Sequence, residues 1–271
     1  MRLEEVELPR PGPHELLVRV HAAGVNPVDW KVRQGEYGRP ELPWTVGRDF
    51  SGVVEALGPQ VELFRVGEEV FGCASERSGS YAEYALAPTP QVAEKPPGLD
   101  HIQAAALPIA ALTAWQALFD KANLKAGQRV LLHAAAGGVG TFAVQFAKWK
   151  GAYVLGTASA QHAGLLRELG ADEVIDYHTT RFEQVARDID VVLDPVGGET
   201  QARSWEVLKP DGILVSLVQA PSQQAATAHH ARGLVMRCDP ASRQELSQIA
   251  ELVSSGRIRP IIAKVLPLSE A

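Results

Sequence analysis

The stretch HAAAGGVG (133–140) combines small side chains at a spacing that suits phosphate binding. It fits the G-x-G-x-x-G scheme as Ala135-x-Gly137-x-x-Gly140, with alanine at the first glycine position. Small residues allow a tight turn and let a pyrophosphate approach the main chain, and the N–H groups at the start of a following helix bind the anion. The stretch therefore predicts a dinucleotide site. Its expected contact residues are Ala136, Gly137, Gly138, Val139 and Gly140.

The residues around this loop indicate a strand before it and a helix after it. RVLLH (129–133) has the apolar composition of a buried strand, and in 139–151 apolar residues such as Phe142 and Phe146 recur on one helical face. A glycine pattern between a strand and a helix is the context that supports dinucleotide binding, and Gly140 would let the helix pack closely on its strand. The alternative is a glycine-rich turn with only a packing role.

The end of the next predicted strand, YVLGTAS (153–159), predicts which dinucleotide binds. NAD-specific sites place an acidic residue roughly 20 residues after the glycine loop to bind the ribose hydroxyls, whereas 142–166 contains no Asp or Glu. Gly156 would leave room for a 2′-phosphate, and Ser159 and His162 can donate hydrogen bonds to it. We therefore predict NADPH rather than NADH. The alternative is that Ser159 only caps the next helix.

Strands and helices alternate through the second half of the chain. This alternation predicts a parallel sheet with helices on both faces, the doubly wound dinucleotide-binding fold. The six expected strands are 129–133, 153–159, 173–177, 189–198 with its turn, 212–218 and 233–238. The expected helices are 101–122 with a break at Pro108, 139–151, 163–171, 181–188, 199–212 with its turn, and 240–257.

The first ~95 residues are instead β-rich, with Gly and Pro every few residues. Their expected strands are 15–25, 49–58, 68–74 and 80–87. This pattern is typical of a compact barrel-like or sandwich domain. KPPGLD (95–100) stops regular structure and marks the boundary between the two halves.

The composition excludes several classes of function. A net charge of −6 gives no broad attraction for nucleic acid or anionic membranes. No apolar run approaches the roughly 18 residues of a membrane span, and the N-terminal residues lack the regions of a signal peptide. Cys73 and Cys238 form no Cys-x-x-Cys pair, which argues against a disulfide framework or a structural zinc. We expect a cytoplasmic protein without nucleic-acid or membrane partners.

Eight segments together resemble the zinc-independent medium-chain dehydrogenase/reductases, and within them the quinone oxidoreductase (ζ-crystallin-like) family. In chain order these segments are 22–35, 46–58, 65–72, 79–85, 107–118, 133–148, 169–177 and 191–200. The resemblance implies an α/β protein with the active site in the cleft between two domains. It implies a GroES-like catalytic domain at 1–95, a Rossmann NADPH-binding domain with a six-stranded parallel sheet at 96–258, and a segment returning to the catalytic domain at 259–271.

The same resemblance implies three catalytic residues, Asn26, Lys31 and Thr113. Asn26 can donate an amide hydrogen bond to a developing enolate or quinol oxygen. Thr113 matches the family's threonine beside the nicotinamide, and Lys31 stands where many relatives have tyrosine. For Asp29, Lys31 and Arg48 a purely structural ion pair is the alternative.

Further cofactor contacts follow from the resemblance. Tyr177 matches a tyrosine near the 2′-phosphate, and Asp194 and Val196, in the segment VVLDPVGGET, complete the expected cofactor-binding set. Gln161 departs from the many NADPH-using relatives that carry lysine or arginine at this position. The prediction of NADPH therefore depends on Ser159, on His162 and on the missing carboxylate.

We predict no metal site. Zinc-dependent relatives carry Gly-His-Glu where this chain has Gly47-Arg48-Asp49, and arginine is not a zinc donor. The eight histidines are scattered. We expect each of them, including His133, to be hydrogen-bonded or solvated rather than a ligand.

The resemblance also bears on the ends of the chain and on assembly. Relatives usually have another strand or hairpin before the region matching 3–13, and a helix and strand after the region matching 265–271. If the protein ends where this sequence does, we expect the Rossmann half to survive better than the catalytic half. A homodimer formed through the strand at 233–238 is also implied.

These observations predict NADPH-dependent reduction of quinones or other α,β-unsaturated carbonyls by hydride transfer without zinc. A second enzyme hypothesis is an enoyl-thioester reductase, because such domains share HAAAGGVG and also lack zinc. A third hypothesis, from a different class, is a non-catalytic NADPH-binding protein with an incomplete catalytic domain.

Overall fold

The computed structural model of the protein describes residues 1–36 and 41–271. The chain forms two compact units, unit 1 (Met1–Leu112 with Pro240–Ala271) and unit 2 (Thr113–Asp239). These units divide the chain at other residues than the expected boundaries after 95 and 258.

The antiparallel sheet of unit 1 has five strands in the order β4-β1-β2-β3-β5. The strands are β1 (Glu15–Ala23), β2 (Asp49–Leu57), β3 (Glu69–Cys73), β4 (Tyr84–Pro88) and β5 (Val92–Glu94). Its apolar face buries a cluster that includes Phe50, Phe64 and Val70. The four strands expected here are confirmed, although β4 begins four residues later than the predicted segment.

Within the described residues, four α-helices belong wholly or partly to unit 1. They are α1 (Pro27–Gln34), α2 (His101–Ala105), α3 (Pro108–Trp115), which continues into unit 2, and α8 (Arg243–Ser254). Because α2 contacts β1 and β2, and α8 contacts β5, both helices belong to unit 1 rather than to the Rossmann unit.

The parallel sheet of unit 2 has the order β11-β10-β9-β6-β7-β8. Its strands are β6 (Arg129–Leu132), β7 (Tyr153–Ala158), β8 (Glu173–Asp176), β9 (Ile189–Asp194), β10 (Leu208–Ser216) and β11 (Arg232–Val235). The connecting helices are α4 (Gly138–Trp149), α5 (Ala163–Glu168), α6 (Gly198–Ser204) and α7 (Gln223–Ala228). All six predicted strands are confirmed, and their order reverses between β6 and β9, the switch point where doubly wound sheets bind ligands.

The helical predictions were confirmed in part. The segment 101–122 is helical and breaks before Pro108, as predicted, into α2 and α3, and its last part, Gln116–Lys121, is a π-helix that was not predicted. The segment 181–188 contains only a 3-10 turn at Phe182–Gln184, and Asp188, just before β9, has a left-handed backbone (φ 54°).

The helix α1 was not predicted. Its eight residues give too short a pattern for periodicity to detect, but its start has strong local signals. Pro27 occupies the first turn, and the N–H of Asn26 donates to Asp29 Oδ2 at 2.8 Å. The helix ends at Gly35, whose φ of 89° is the left-handed conformation typical of a helix stop.

Candidate functional site

The glycine loop of unit 2 is a tight turn that leads directly into α4. Ala134 adopts a left-handed conformation (φ 47°), and the N–H of Gly137 donates to its carbonyl oxygen at 2.9 Å. Gly137 then takes the N-cap position in an extended conformation, with no side chain to cap the helix. The first N–H groups of α4 therefore form the kind of donor set that binds a pyrophosphate.

Gly140 brings α4 against this loop. A Cβ atom at position 140 would lie 2.4 Å from the carbonyl oxygen of Ala134 and 2.6 Å from that of Ala135. A Cβ at Gly138 would meet no atom within 4 Å. Only glycine at position 140 permits this approach of helix and loop, as the spacing predicted, whereas position 138 faces open space.

The second loop at the switch point follows β9, and the buried side chain of Asp194 fixes its main chain. Its fully buried carboxylate accepts from the N–H groups of Val196 at 2.9 Å and Gly197 at 2.8 Å. It also accepts from Gln201 Nε2 at 3.0 Å and Ser216 Oγ at 3.2 Å. With four donors satisfied by the protein, Asp194 holds the loop in place rather than facing a ligand.

The Val196 side chain faces solvent, away from Asp194. Val196 is about half exposed (51%), although its N–H donates to the buried Asp194 carboxylate. Because β6 and β9 pair as Leu132↔Leu193, the loops that follow them emerge side by side. The glycine loop and the Val196 loop thus flank the switch point of the sheet.

Three residues predicted to bind the 2′-phosphate follow the ends of β7 and β8. These strands pair as Ala158↔Asp176, and the N–H of Tyr177 donates to the carbonyl of Ala158 at 3.3 Å, which places Tyr177 next to Ser159. Tyr177 is exposed and its ring lies against His178, with centroids 4.2 Å apart.

Ser159 occupies an N-cap position, but its hydroxyl makes no capping hydrogen bond. The alternative that it only caps the next helix is therefore not supported. His162 ends the same short 3-10 turn, and its Nε2 lies 3.2 Å from Gln161 Nε2, so the imidazole accepts there from the amide. The space expected at Gly156 is not open, because a Cβ there would lie 2.9 Å from Ala135 Cβ.

His133, the first residue after β6, is buried and hydrogen-bonded, as expected. Its Nδ1 lies 3.2 Å from Thr157 Oγ1, and its Nε2 lies 2.9 Å from Ser204 Oγ. Burial lowers the pKa of His133 to about 4, so the ring is neutral at physiological pH. It brings no positive charge to the glycine loop.

Unit 1 contains a buried polar cluster around Asn26, Asp29 and Asp49. Asn26 Nδ2 donates to Asp49 Oδ2 at 2.8 Å, and the Asn26 N–H donates to Asp29. Asp49 Oδ2 also accepts from the N–H of Ile109 at 3.1 Å. The sequence singled out Asn26 and Asp29 but not the role of Asp49, which lies 23 residues away in a strand that reads as apolar.

Burial perturbs both carboxyl groups. It raises the pKa of Asp49 to about 7, a rise to which the nearby Asp29 charge adds and which the Asn26 hydrogen bond reduces. Burial also raises the pKa of Asp29, although the hydrogen bonds from Asn26 and from Tyr81 Oη, at 3.1 Å, oppose this effect. The pKa of Tyr81 is raised by its burial and by the Asp29 charge.

The remaining candidate residues are Lys31, Arg48 and Thr113, and they take no part in the hydrogen bonds described for this cluster. Lys31 pairs with Glu36 at 3.8 Å, and Arg48 pairs with Glu76 at 3.2 Å while also acting electrostatically on Asp29. The partners of Lys31 and Arg48 are thus Glu36 and Glu76, and not Asp29 as the structural alternative would have it. Thr113 is buried on α3 and belongs to unit 2.

The donor set does not fit a zinc ion. Across 1–36 and 41–271, no three His, Cys, Asp or Glu side chains are grouped so that they could hold a metal. Arg48, at the position where zinc-dependent relatives carry histidine, forms an ion pair with Glu76.

Two further features concern the described chain as a whole. In the part of the chain that the structure describes, no helix has the length and apolar character to cross a membrane. Cys73 and Cys238, the two cysteines of the chain, form no disulfide.

Comparison with known proteins agrees with both units. The alcohol dehydrogenase GroES-like domain family matches residues 12–97, and the zinc-binding dehydrogenase family matches residues 169–271. The mitochondrial NAD(P)H oxidoreductase RTN4IP1 of Mus musculus is 37% identical, over 95% of this chain and 77% of that protein. The quinone oxidoreductase of Mus musculus is 33% identical, over 98% of this chain and 86% of that protein.

A solved structure extends this agreement to the fold. The Escherichia coli quinone oxidoreductase complexed with NADPH superposes with a TM-score of 0.87 at 28% identity, over 96% of this chain and 86% of that one. Sequence identity above 30% over most of each relative shows family membership, and the two folds agree with it. The chain therefore belongs to the medium-chain dehydrogenase/reductases, within their quinone oxidoreductase and NAD(P)H oxidoreductase family.

Proposed function

We propose that the protein catalyses NADPH-dependent reduction of quinones or other α,β-unsaturated carbonyls, by hydride transfer and without zinc. The observation that carries this proposal is the uncapped N-terminus of α4 behind a loop that only glycine at position 140 permits. The family's quinone oxidoreductases supply the reaction class, and the E. coli relative is described with NADPH.

The chain's residues would hold the cofactor at three places. The backbone of Ala136, Gly137, Gly138, Val139 and Gly140 would bind the pyrophosphate at the start of α4. Ser159, His162 and Tyr177 would contact the 2′-phosphate, where a carboxylate would instead select NADH. Val196, on the loop held by Asp194, would contact the nicotinamide half.

When bound, NADPH supplies the hydride. The protein's task is to hold the acceptor carbon within reach and to stabilise the negative charge that develops on the oxygen of the acceptor. We assign that stabilisation to Asn26, whose amide is fixed by Asp49, with Lys31 and Thr113 as additional contacts. A proton completes the quinol or the saturated carbonyl product.

Two further proposals concern assembly and location. We propose a homodimer through β11, which is an edge strand of the six-stranded sheet. We also propose the cytoplasm as its location, although relatives such as RTN4IP1 are mitochondrial. Light scattering of the purified protein would test the dimer.

One titration tests the main proposal. Purified protein is titrated with NADPH and with NADH by nucleotide fluorescence, and 1,4-benzoquinone is then added. Tighter binding of NADPH followed by quinone-dependent oxidation supports the proposal. Binding without oxidation by a quinone, by an enone or by a crotonyl thioester would favour a cofactor-binding protein. Faster turnover of the thioester would favour an enoyl-thioester reductase.

A further inference from the structure

Asp49 holds together three elements of unit 1 through a single carboxylate. It is the first residue of β2 and is 1% exposed. Its Oδ2 atom accepts from Asn26 Nδ2 at 2.8 Å, next to α1, and from the N–H of Ile109 at 3.1 Å, in the first turn of α3. Its Oδ1 lies 3.6 Å from the thiol sulfur of Cys73 on β3.

We propose that Asp49 is a positioning residue that fixes the carboxamide of Asn26 in one orientation, with one N–H of Nδ2 committed to Asp49. This inference rests on the proposed function of Asn26 as a hydrogen-bond donor. A side-chain amide can present either its oxygen or its nitrogen to a neighbour, whereas Asp49 Oδ2, which already accepts from the N–H of Ile109, is held as an acceptor. The carboxylate of Asp49 therefore selects the orientation in which the Asn26 nitrogen faces it.

The surroundings prevent Asp49 from moving away. The N–H of Gly24 donates to the Asp49 carbonyl oxygen at 3.0 Å. A Cβ at Gly24 would lie 2.9 Å from Asp49 Cβ and 2.5 Å from the carbonyl oxygen of Ala105, so the backbone packs directly on this side chain. Asp49 thus provides a rigid acceptor rather than a mobile surface carboxylate.

The backbone of Asn26 is also fixed by a hydrogen bond. Its N–H donates to Asp29 Oδ2 at 2.8 Å, and the hydroxyl of Tyr81 donates to the same oxygen at 3.1 Å. Both its main chain and its side chain are therefore fixed by carboxylates. A donor that is oriented before the reaction needs no reorganisation when negative charge develops on the acceptor, which is the condition for effective oxyanion stabilisation.

Three variants separate positioning from other roles. In Asp49→Asn the new amide can place its oxygen where Oδ2 lies and still accept from Asn26 and Ile109, while its NH₂ faces Cys73. In Asp49→Leu the acceptor is lost while the number and branching of the side-chain heavy atoms are kept. Asn26→Ala removes the group that we propose Asp49 positions, and combining it with Asp49→Leu completes a double-mutant cycle.

Steady-state kinetics with NADPH and 1,4-benzoquinone give the first readout. We expect Asp49→Leu to lower kcat by roughly 10- to 100-fold, approaching the effect of losing one oxyanion donor, with a smaller change in KM. Asp49→Asn should retain at least about a third of the wild-type kcat. In the Asn26→Ala background, Asp49→Leu should change kcat by less than about threefold. An equal loss in both backgrounds, or an equal loss in Asp49→Asn and Asp49→Leu, would overturn the proposal.

A second readout is independent of turnover. The side-chain NH₂ signal of Asn26, assigned in NMR spectra by its loss in Asn26→Ala, should show slow exchange in the wild type and in Asp49→Asn, and fast exchange in Asp49→Leu. Unchanged exchange in a folded Asp49→Leu protein, or fast exchange in the wild type, would refute the positioning role. Absence of quinone reduction by the wild type would instead count against the proposed function, and the NMR result would still decide on Asp49.

Discussion

Substitution of Gly140 by alanine tests the geometry on which the cofactor site depends. The new methyl carbon would lie 2.4 Å from the Ala134 carbonyl oxygen, whereas ordinary van der Waals contact begins near 3.4 Å. Helix α4 and the loop must therefore separate by roughly 1 Å. Overpacking of this kind costs about 1–3 kcal/mol, more than the roughly 1 kcal/mol by which alanine favours a helix over glycine.

Two measurable consequences follow from that displacement. The melting temperature of the Gly140→Ala protein should fall by roughly 2–8 °C. Its Kd for NADPH should rise by about 10- to 100-fold, because displaced N–H groups lose one or two charge-assisted hydrogen bonds to the pyrophosphate. Calorimetric unfolding and fluorescence titration of the same preparation measure both quantities.

Gly138→Ala is the matched control for the effect on folding. It adds the same methyl group two residues earlier in the same helix, where it would contact no atom within 4 Å. Its melting temperature should therefore stay within about 1 °C of the wild type or rise slightly. Equal melting temperatures and equal NADPH affinities for Gly140→Ala and the wild type would show that the close approach of α4 does not shape the loop.

Three further predictions concern other parts of the two units. Ser159→Asp should weaken NADPH binding at least about tenfold and strengthen NADH binding in a competitive titration, because a carboxylate repels the 2′-phosphate and accepts from ribose hydroxyls. Ser216→Ala removes a hydrogen bond to Asp194 and should raise the Kd for NADPH about three- to tenfold, while calorimetry with 2′,5′-ADP, which lacks the nicotinamide half, should show no change. Equal weakening of both ligands would contradict this assignment. Because the pKa of Asp49 is raised to about 7 in the folded state, the native protein retains a proton that the unfolded chain releases above pH 4. The stability that this residue contributes is therefore lost as the pH rises from 4 to 7, by at most about 4 kcal/mol. Urea unfolding should show Asp49→Asn gaining stability relative to the wild type over that range, and a constant difference would refute the assignment.

The parallel sheet and its glycine loop could be predicted because their signals are local. Apolar runs marked all six strands, and the spacing up to Gly140 marked the turn and the helix. The cluster around Asp49 could not be predicted in the same way, since its partners come from α1, β3 and α3 and only the antiparallel fold brings them together. The surroundings of Gly156 could not be predicted for the same reason, because the Ala135 methyl group that fills the space beside it belongs to the loop after another strand.

The arrangement of Asp194 has a consequence for how this enzyme can be altered. Its carboxylate fixes the main chain of the Val196 loop from the buried side, through the N–H groups of Val196 and Gly197, while the Val196 side chain faces outward. Backbone shape and side-chain identity are thus set by different residues. Position 196 can therefore be randomised in a search for new acceptor or cofactor preferences with little loss of folded protein, whereas position 194 cannot.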